Sequence, residues 1–276
     1  MLSAAAEALG RGEAVALVTV VRANGSTPQR AGAKMLVFAD GRTIGTIGGG
    51  CYENEARLKA RDAILSGKQA LLHFNLNDDF AQENGLVCGG QMDIHVDPLL
   101  PSPRLYIIGA GHVGWHLAKV AADAAFRIHV VDDREKFANR ERFPAADDIA
   151  VEPIADWLHR ADLPASAYAV IVTRGHQNDL DAMRALAARD LKYLGLIGSR
   201  AKIARIRTAL IDEGMPPECL DRVHAPIGLD IGAVTPAEIA ISILAELIAV
   251  RRGVDTGRSL VRRSAEGEGG SLGVRP

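Results

Sequence analysis

Gly109-Ala110-Gly111-His112-Val113-Gly114 is the stretch of this sequence with the clearest chemistry. It fits G-x-G-x-x-G, in which the first glycine makes a tight turn, the second lets a phosphate approach the backbone, and the third lets a helix pack closely on a sheet. An apolar run, Leu105–Gly109, leads into it, and a helical pattern, His112–Ala125, leads out. The loop therefore opens a helix whose N-terminal N–H groups and dipole suit an anion. Asp132 follows Gly114 by 18 positions (132 − 114) and ends the next strand, where an acid accepts hydrogen bonds from a ribose hydroxyl. These residues predict a site for a phosphate-bearing nucleotide or cofactor. The alternative is a core that keeps its glycines for packing and holds no ligand.

A second concentration of chemistry lies near the start. Gly45-Thr46-Ile47-Gly48-Gly49-Gly50-Cys51-Tyr52-Glu53 places three successive glycines before a cysteine. Glycine runs have an entropic cost and are kept where backbone must approach something closely. Cys51 falls at a helix start, where the dipole favours a nucleophilic thiolate, and Glu53 and Glu55 in the first turn partly oppose it. The bland reading is a small buried cysteine at a tight turn. Upstream, the loop Asn24–Lys34 gathers Ser26, Thr27, Arg30 and Lys34 with Gly25 and Gly32, a set able to wrap a phosphate or carboxylate. It reads equally as an ordinary hydrophilic hairpin loop. Cys88, in Val87-Cys88-Gly89-Gly90, could line the same pocket, whereas Cys219 reads as incidental.

Thr173-Arg174-Gly175-His176 and Gly198-Ser199-Arg200 follow predicted strands, at the ends that line a ligand crevice in an open parallel sheet. Arg174, His176 and Arg200 are thus placed to touch an anion, Ser199 to cap its helix, and His112 to lie against the same ligand. Taken alone, each histidine reads better as a hydrogen-bonded, inert one. His176 with Asp179 gives two mixed ligands, which do not make a metal site.

The elements that must position these residues fall into two domains: an N-terminal α+β domain, 1–98, and a Rossmann-like parallel-sheet domain, 104–253. The break is read at Pro98–Arg104, which cannot continue a helix or a central strand. In the first domain, Ala14–Arg22, Lys34–Ala39, Arg42–Ile47, Ala70–Leu76 and Gln91–Val96 read as strands and Glu53–Leu65 as a helix, with no topology implied. In the second, strands at Leu105–Gly109, Arg127–Asp132, Ala167–Thr173 and Lys192–Ile197 alternate with helices at His112–Ala125, Asp179–Arg189 and Ser199–Asp212. Pro236–Arg252 is a closing helix with Thr235 as N-cap and Gly253 as its stop. Pro226–Gly232 reads as a packed loop, against the other domain, and 254–276 as a disordered tail.

The bulk numbers narrow the function classes. The 276 residues are 48% hydrophobic and 24% charged, with a net charge of −2, so there is no basic excess for nucleic acid. Apolar runs such as Ala14–Val21 fall short of the roughly 20 residues that span a bilayer. Met1–Arg11 lacks the order of a signal peptide. Three cysteines without a CxxC pair predict free thiols and a cytoplasmic home.

Taken in order, the motifs resemble the xanthine dehydrogenase accessory protein family, XdhC/CoxI. The resemblance rests on Gly25-Ser26-Thr27-Pro28 with Gly32-Ala33-Lys34-Met35, on Gly45–Cys51, and on Cys88-Gly89-Gly90. It continues through Gly109–Gly114, Thr173–His176, Gly195–Arg200, Pro226–Gly232 and Thr235–Ala240. It implies a chaperone rather than a catalyst, one that binds the molybdenum cofactor, protects it while a cysteine desulfurase installs its terminal sulfur, and inserts it into an apo molybdenum hydroxylase such as xanthine dehydrogenase. Under it, Cys51 is the candidate contact to cofactor and metal, Cys88 the second, and the Ser26–Lys34 loop with Gly49 and Gly50 the phosphate or pterin contact. Hand-over to partners and an open first domain point to a homodimer. Two other readings stand beside this one: an NAD(P)-dependent oxidoreductase resting on the glycine loop and Asp132, and a Rossmann scaffold emptied of ligand and used for contacts.

Overall fold

The computed structural model describes residues 1–75 and 90–254. Its internal contacts divide the chain into two units, Met1–Ser102 and Pro103 onward. The first holds α1 (Leu2–Gly10), β1 (Val15–Gly25), β2 (Lys34–Phe38), β3 (Thr43–Gly45), α2 (Gly50–Ser66), β4 (Ala70–Asn75) and β5 (Gly90–Leu99). The strands form one antiparallel sheet in the order β3-β2-β1-β5-β4. Alternation along β1 sends Ala16, Val18 and Val20 into a core shared with Met35, Val37, Ile94 and Val96. That core is closed by α2, whose buried residues Tyr52, Ala56, Ala60, Ala63 and Ile64 recur at three- and four-residue spacing and so form one stripe. Small alanines let the helix lie close. Gly67, left-handed at φ 67°, stops it. A smaller cluster joins Ala5 and Ala8 of α1 to Val15, Leu36 and Phe38.

In this unit three details differ from the sequence expectation. The helix α1 was not expected. The helix expected at Glu53 starts at Gly50, which puts Cys51 inside its first turn. Strand β5 runs through Pro98, where a break is expected: beyond Val96 it pairs with β1 and no longer with β4. A proline is tolerated where one side of a strand is free.

The second unit is the expected parallel α/β layer. Strands β6 (Arg104–Ile108), β7 (Arg127–Asp132), β8 (Asp148–Val151), β9 (Tyr168–Ile171) and β10 (Tyr193–Leu196) lie in the order β10-β9-β6-β7-β8, all parallel. Chain order reverses between β6 and β9, so the crevice of this sheet opens at their carboxyl ends. The helices are α3 (His112–Asp123), α4 (Ile154–Arg160), α5 (His176–Leu186), α6 (Arg200–Asp212), α7 (Pro217–Asp221) and α8 (Pro236–Arg252). Apolar clusters bury both sheet faces, one around Ile108, Ile171 and Leu196, the other around Leu105, Ile107 and Val170. Thr235 and Glu238 form a reciprocal capping box at the start of α8, and Gly253 ends it at φ 67°. Pro226–Gly232 is packed on α8: the Gly228 N–H donates to Glu246 at 2.9 Å and the Ser242 hydroxyl to Leu229 O at 2.5 Å.

Candidate functional site

The residues singled out in the sequence form two groups, one in each unit. In the first, Cys51 is the second residue of α2, half-buried and in no disulfide. Gly48, Gly49 and Gly50 before it take φ of 121°, 76° and 81°, a backbone that favours glycine at all three positions. A Cβ on Gly48 would strike the Tyr52 hydroxyl and stand 2.7 Å from Pro28 Cβ and 3.2 Å from Gln29 Cγ. One on Gly90 would stand 2.7 Å from Ser26 O and 2.9 Å from Thr27 Cγ2. Close approach thus sets the 24–34 loop against Gly48, three residues before Cys51, and against Gly90 at the start of β5. A Cβ on Gly49 would meet nothing within 4 Å, so that side of the loop is open. Arg30 and Lys34 lie on the returning arm of the 24–34 loop, both exposed, with the Lys34 ammonium donating to Gly32 O at 3.4 Å. Cys88 lies outside the described residues.

Glu53 acts on this loop in a way the sequence did not indicate. Its Oε2 accepts from the Thr46 hydroxyl at 2.5 Å and from the N–H groups of Ile47 and Gly49 at 2.9 Å each. Burial pushes this carboxyl up, but those donors outweigh it and hold the group below its ordinary value. The N–H groups of Ile47 and Gly49 are therefore met by the protein's own carboxylate, and that of Gly48 by the Thr46 hydroxyl at 3.0 Å. What the loop offers a ligand is its open Gly49 side and the neighbouring thiol.

In the second unit the three loop glycines meet different constraints. Gly109 has φ 114°, and a Cβ there would stand 2.5 Å from Val172 O and 2.9 Å from Thr173 Cα. One on Gly114 would collide with Gly109 O. Gly111 has φ −66°, and a Cβ would meet nothing within 4 Å. Backbone and packing require the outer glycines. The middle one is required by neither, which leaves room for a phosphate at the start of α3. His112 is exposed beside it. The Gly109 contact brings the loop after β9 to the same point, and His176 begins α5 three residues after Thr173. Arg200 begins α6 after β10, two strands from β6 and so roughly 10 Å away at the usual strand spacing.

Asp132 is placed at the end of β7 as expected, but only 2% of it is exposed. Its Oδ2 accepts from the Ala110 N–H at 2.7 Å and Arg134 Nη2 at 2.9 Å, and its Oδ1 from Arg134 Nε at 2.8 Å and Arg134 N–H at 3.1 Å. Burial pushes the carboxyl up; the Arg134 guanidinium and the loop N–H bring it below its ordinary value. Arg134 lies over the Phe137 ring at 4.0 Å, and Arg142 donates from Nη2 to Ala110 O at 3.3 Å. Neither arginine carries a sequence signal beyond closeness to Asp132.

Two further polar clusters brace this unit. Asp179, fully buried, accepts from the Thr173 hydroxyl at 2.6 Å and pairs with Lys202, tying the loop after β9 to α6. Glu246 accepts from the Tyr193 hydroxyl at 2.5 Å and pairs with His224 at 3.3 Å. A lone acid on the apolar face of α8 was the available sign of that cluster. Among the described residues, no group of three His, Cys, Asp or Glu side chains could hold a metal ion.

Comparison with known proteins places the chain. The Escherichia coli K12 protein YqeB, itself uncharacterized, is 36% identical over 88% of this chain, which spans only 44% of that relative's length. A protein of Bacillus subtilis 168, named as a probable subunit of xanthine dehydrogenase, is 25% identical over 88% of this chain and 94% of its own. PaoD of Escherichia coli K12, a molybdenum cofactor insertion chaperone, is 24% identical over 91% of this chain and 88% of its own. A crystal structure of a xanthine dehydrogenase from Bacillus halodurans shares the fold: TM-score 0.52, 23% identity, 92% of this chain and 96% of that one. Residues 105–247 match the XdhC Rossmann domain and residues 8–75 the XdhC and CoxI family, and the chain belongs to that family.

Proposed function

We propose that the protein is an accessory protein that binds the molybdenum cofactor and inserts it into a molybdenum hydroxylase, xanthine dehydrogenase or a relative of it. Likeness to PaoD supports the insertion role, and likeness to the Bacillus subtilis protein supports the class of client. In this reading the protein works by binding and hand-over rather than turnover. It shields the cofactor while a cysteine desulfurase supplies its terminal sulfur, and it acts as a homodimer in the cytoplasm.

Cys51 carries the assignment: a half-buried, unbridged thiol at the start of α2, next to the open side of Gly49 and following Gly48, which packs on Pro28 and Gln29 of the 24–34 loop. The donor set fits a cofactor that brings a soft, dithiolene-bound metal and a terminal phosphate, since sulfur suits the metal and hydroxyl, backbone and cationic groups suit the phosphate. Ser26, Thr27, Gly49 and Gly50 would contact it near Cys51, with Arg30 and Lys34 on the same loop supplying positive charge. Cys88 is the second sulfur in the proposal. Gly109, Gly111, His112, Gly114, His176 and Arg200 are the candidate phosphate contacts of the second unit.

The test is retention. Purified protein incubated with free cofactor and passed through gel filtration should carry molybdenum and pterin together. Cys51→Ala should lose most of both while keeping the wild-type melting temperature. Wild-type protein that emerges empty, or a variant that retains as much as wild type, rejects the assignment.

A further inference from the structure

We infer that Arg134 is a specificity-determining residue of the glycine-loop crevice: it occupies the carboxylate of Asp132 and so excludes adenine dinucleotides from the crevice. An ionised carboxylate offers about four lone-pair sites. On Asp132 all four are taken, two by the Arg134 side chain and one each by the N–H groups of Arg134 and Ala110. With 2% of the residue exposed, no free face is left for a ribose diol.

Relative strengths decide whether a nucleotide could displace the arginine. A ribose would give Asp132 two neutral hydroxyl donors in place of a guanidinium fork in which donor and acceptor are both ionised, the stronger pairing. The displaced guanidinium would also leave the Phe137 ring it covers at 4.0 Å. The exchange is unfavourable on both counts. A 2′-phosphate fares no better by recruiting Arg134. Asp133 already stands 3.6 Å from Arg134 Nε, and the phosphate would face two carboxylates across one guanidinium. Neither NAD(H) nor NADP(H) is therefore a ligand of this crevice, although the glycine loop has the form that binds them elsewhere. The inference stands apart from the molybdenum reading, because it concerns the second unit and no part of it involves Cys51.

Titration with NADH and with NADPH tests it, followed by energy transfer from tryptophan; Trp115 lies on the first turns of α3 beside the loop. Wild type should show no saturable signal with either up to about 1 mM, the range of weak nucleotide affinity. Arg134→Ala frees two acceptor sites on Asp132 and should bind NADH about tenfold tighter or more, the scale of hydrogen bonds to a charged group. Asp132→Asn added to that variant should remove the gain. Should Arg134→Ala fail to fold, Arg134→Lys keeps the charge without the fork and should show a smaller gain. Saturable binding by wild type overturns the inference. So does a folded Arg134 variant that stays blind to NADH, since the arginine would then not be what excludes it.

Discussion

At Glu53 one carboxylate oxygen gathers the Thr46 hydroxyl and the Ile47 and Gly49 N–H groups, and so fixes the loop that leads to Cys51. Because folding holds this carboxyl below its ordinary value of 4.5, its contribution is complete above that value and is lost as pH falls through the lower folded value. Glu53→Gln keeps the shape but turns a charged acceptor into a neutral amide. It should destabilise the protein by about 1 kcal/mol near neutral pH, the usual worth of such bonds at a half-buried site. Urea unfolding at neutral and acidic pH checks the sign: the gap between variant and wild type should close in acid. A gap that persists there would mean the carboxylate charge is not what matters. The residue types of this loop were legible, since three glycines in a row announce a backbone other residues avoid. The job of Glu53 was not, because a first-turn acid reads as serving its helix, and only the folded loop turns it backward. Asp132 follows the same logic: its place at the end of β7 was readable, but its pairing with Arg134 depends on a turn that leaves no periodic trace.

The strand–loop–helix unit β6–α3 separates packing from ligand approach, and its glycines can be tested against each other. Gly114→Ala pushes a methyl group into Gly109 O, backbone that cannot swing aside, and should cost about 1–3 kcal/mol, as overpacked sites do. Gly111→Ala meets open space at an ordinary φ and should cost less than about 1 kcal/mol, the scale of losing a preferred N-cap residue. Thermal unfolding of the two variants should therefore differ clearly, with Gly111→Ala near wild type. Equal losses would show that the middle glycine is also structural and that the room beside it is not kept for a ligand. Elements with an apolar run or a capped, periodic face were visible in the sequence: β6, β7, β9, β10 and α8 fall close to where they are expected. Two of those missed are weak for physical reasons. Strand β8 is four residues at the sheet edge and half-exposed, so no apolar run marks it. Helix α1 buries two alanines and has no side-chain cap. The antiparallel order of the first sheet could not be read because its pairings are long-range, and strand patterns carry no address for their partners.

At the scale of the whole molecule, each apolar cluster among the described residues draws on one unit. Tyr52, Met35, Ile94 and their neighbours form one core; Ala8, Leu36 and Phe38 a smaller one on the same chain segment; and the two large clusters around the parallel sheet use residues from Leu105 onward. Each segment, about 100 residues or more, is long enough to bury a core without help. Residues 1–102 and 103–254, expressed separately, should each give the circular dichroism of folded protein and a cooperative melt. The second must keep α8, because Arg251 at its end donates to Ala124 O at 2.8 Å and Ile243 and Leu247 complete the core beneath it. The same pair of fragments locates the proposed chemistry. If the Cys51 end of the first unit holds the cofactor, fragment 1–102 should retain measurable molybdenum and pterin, more weakly than the full chain if the second unit supplies a phosphate contact. Two folded fragments that both emerge empty, beside a full chain that retains cofactor, would mean that binding needs groups from both units at once. A first fragment that binds as tightly as the full chain would instead confine the cofactor to the loops around Cys51 and leave the glycine-loop crevice to another ligand, one that Arg134 does not bar.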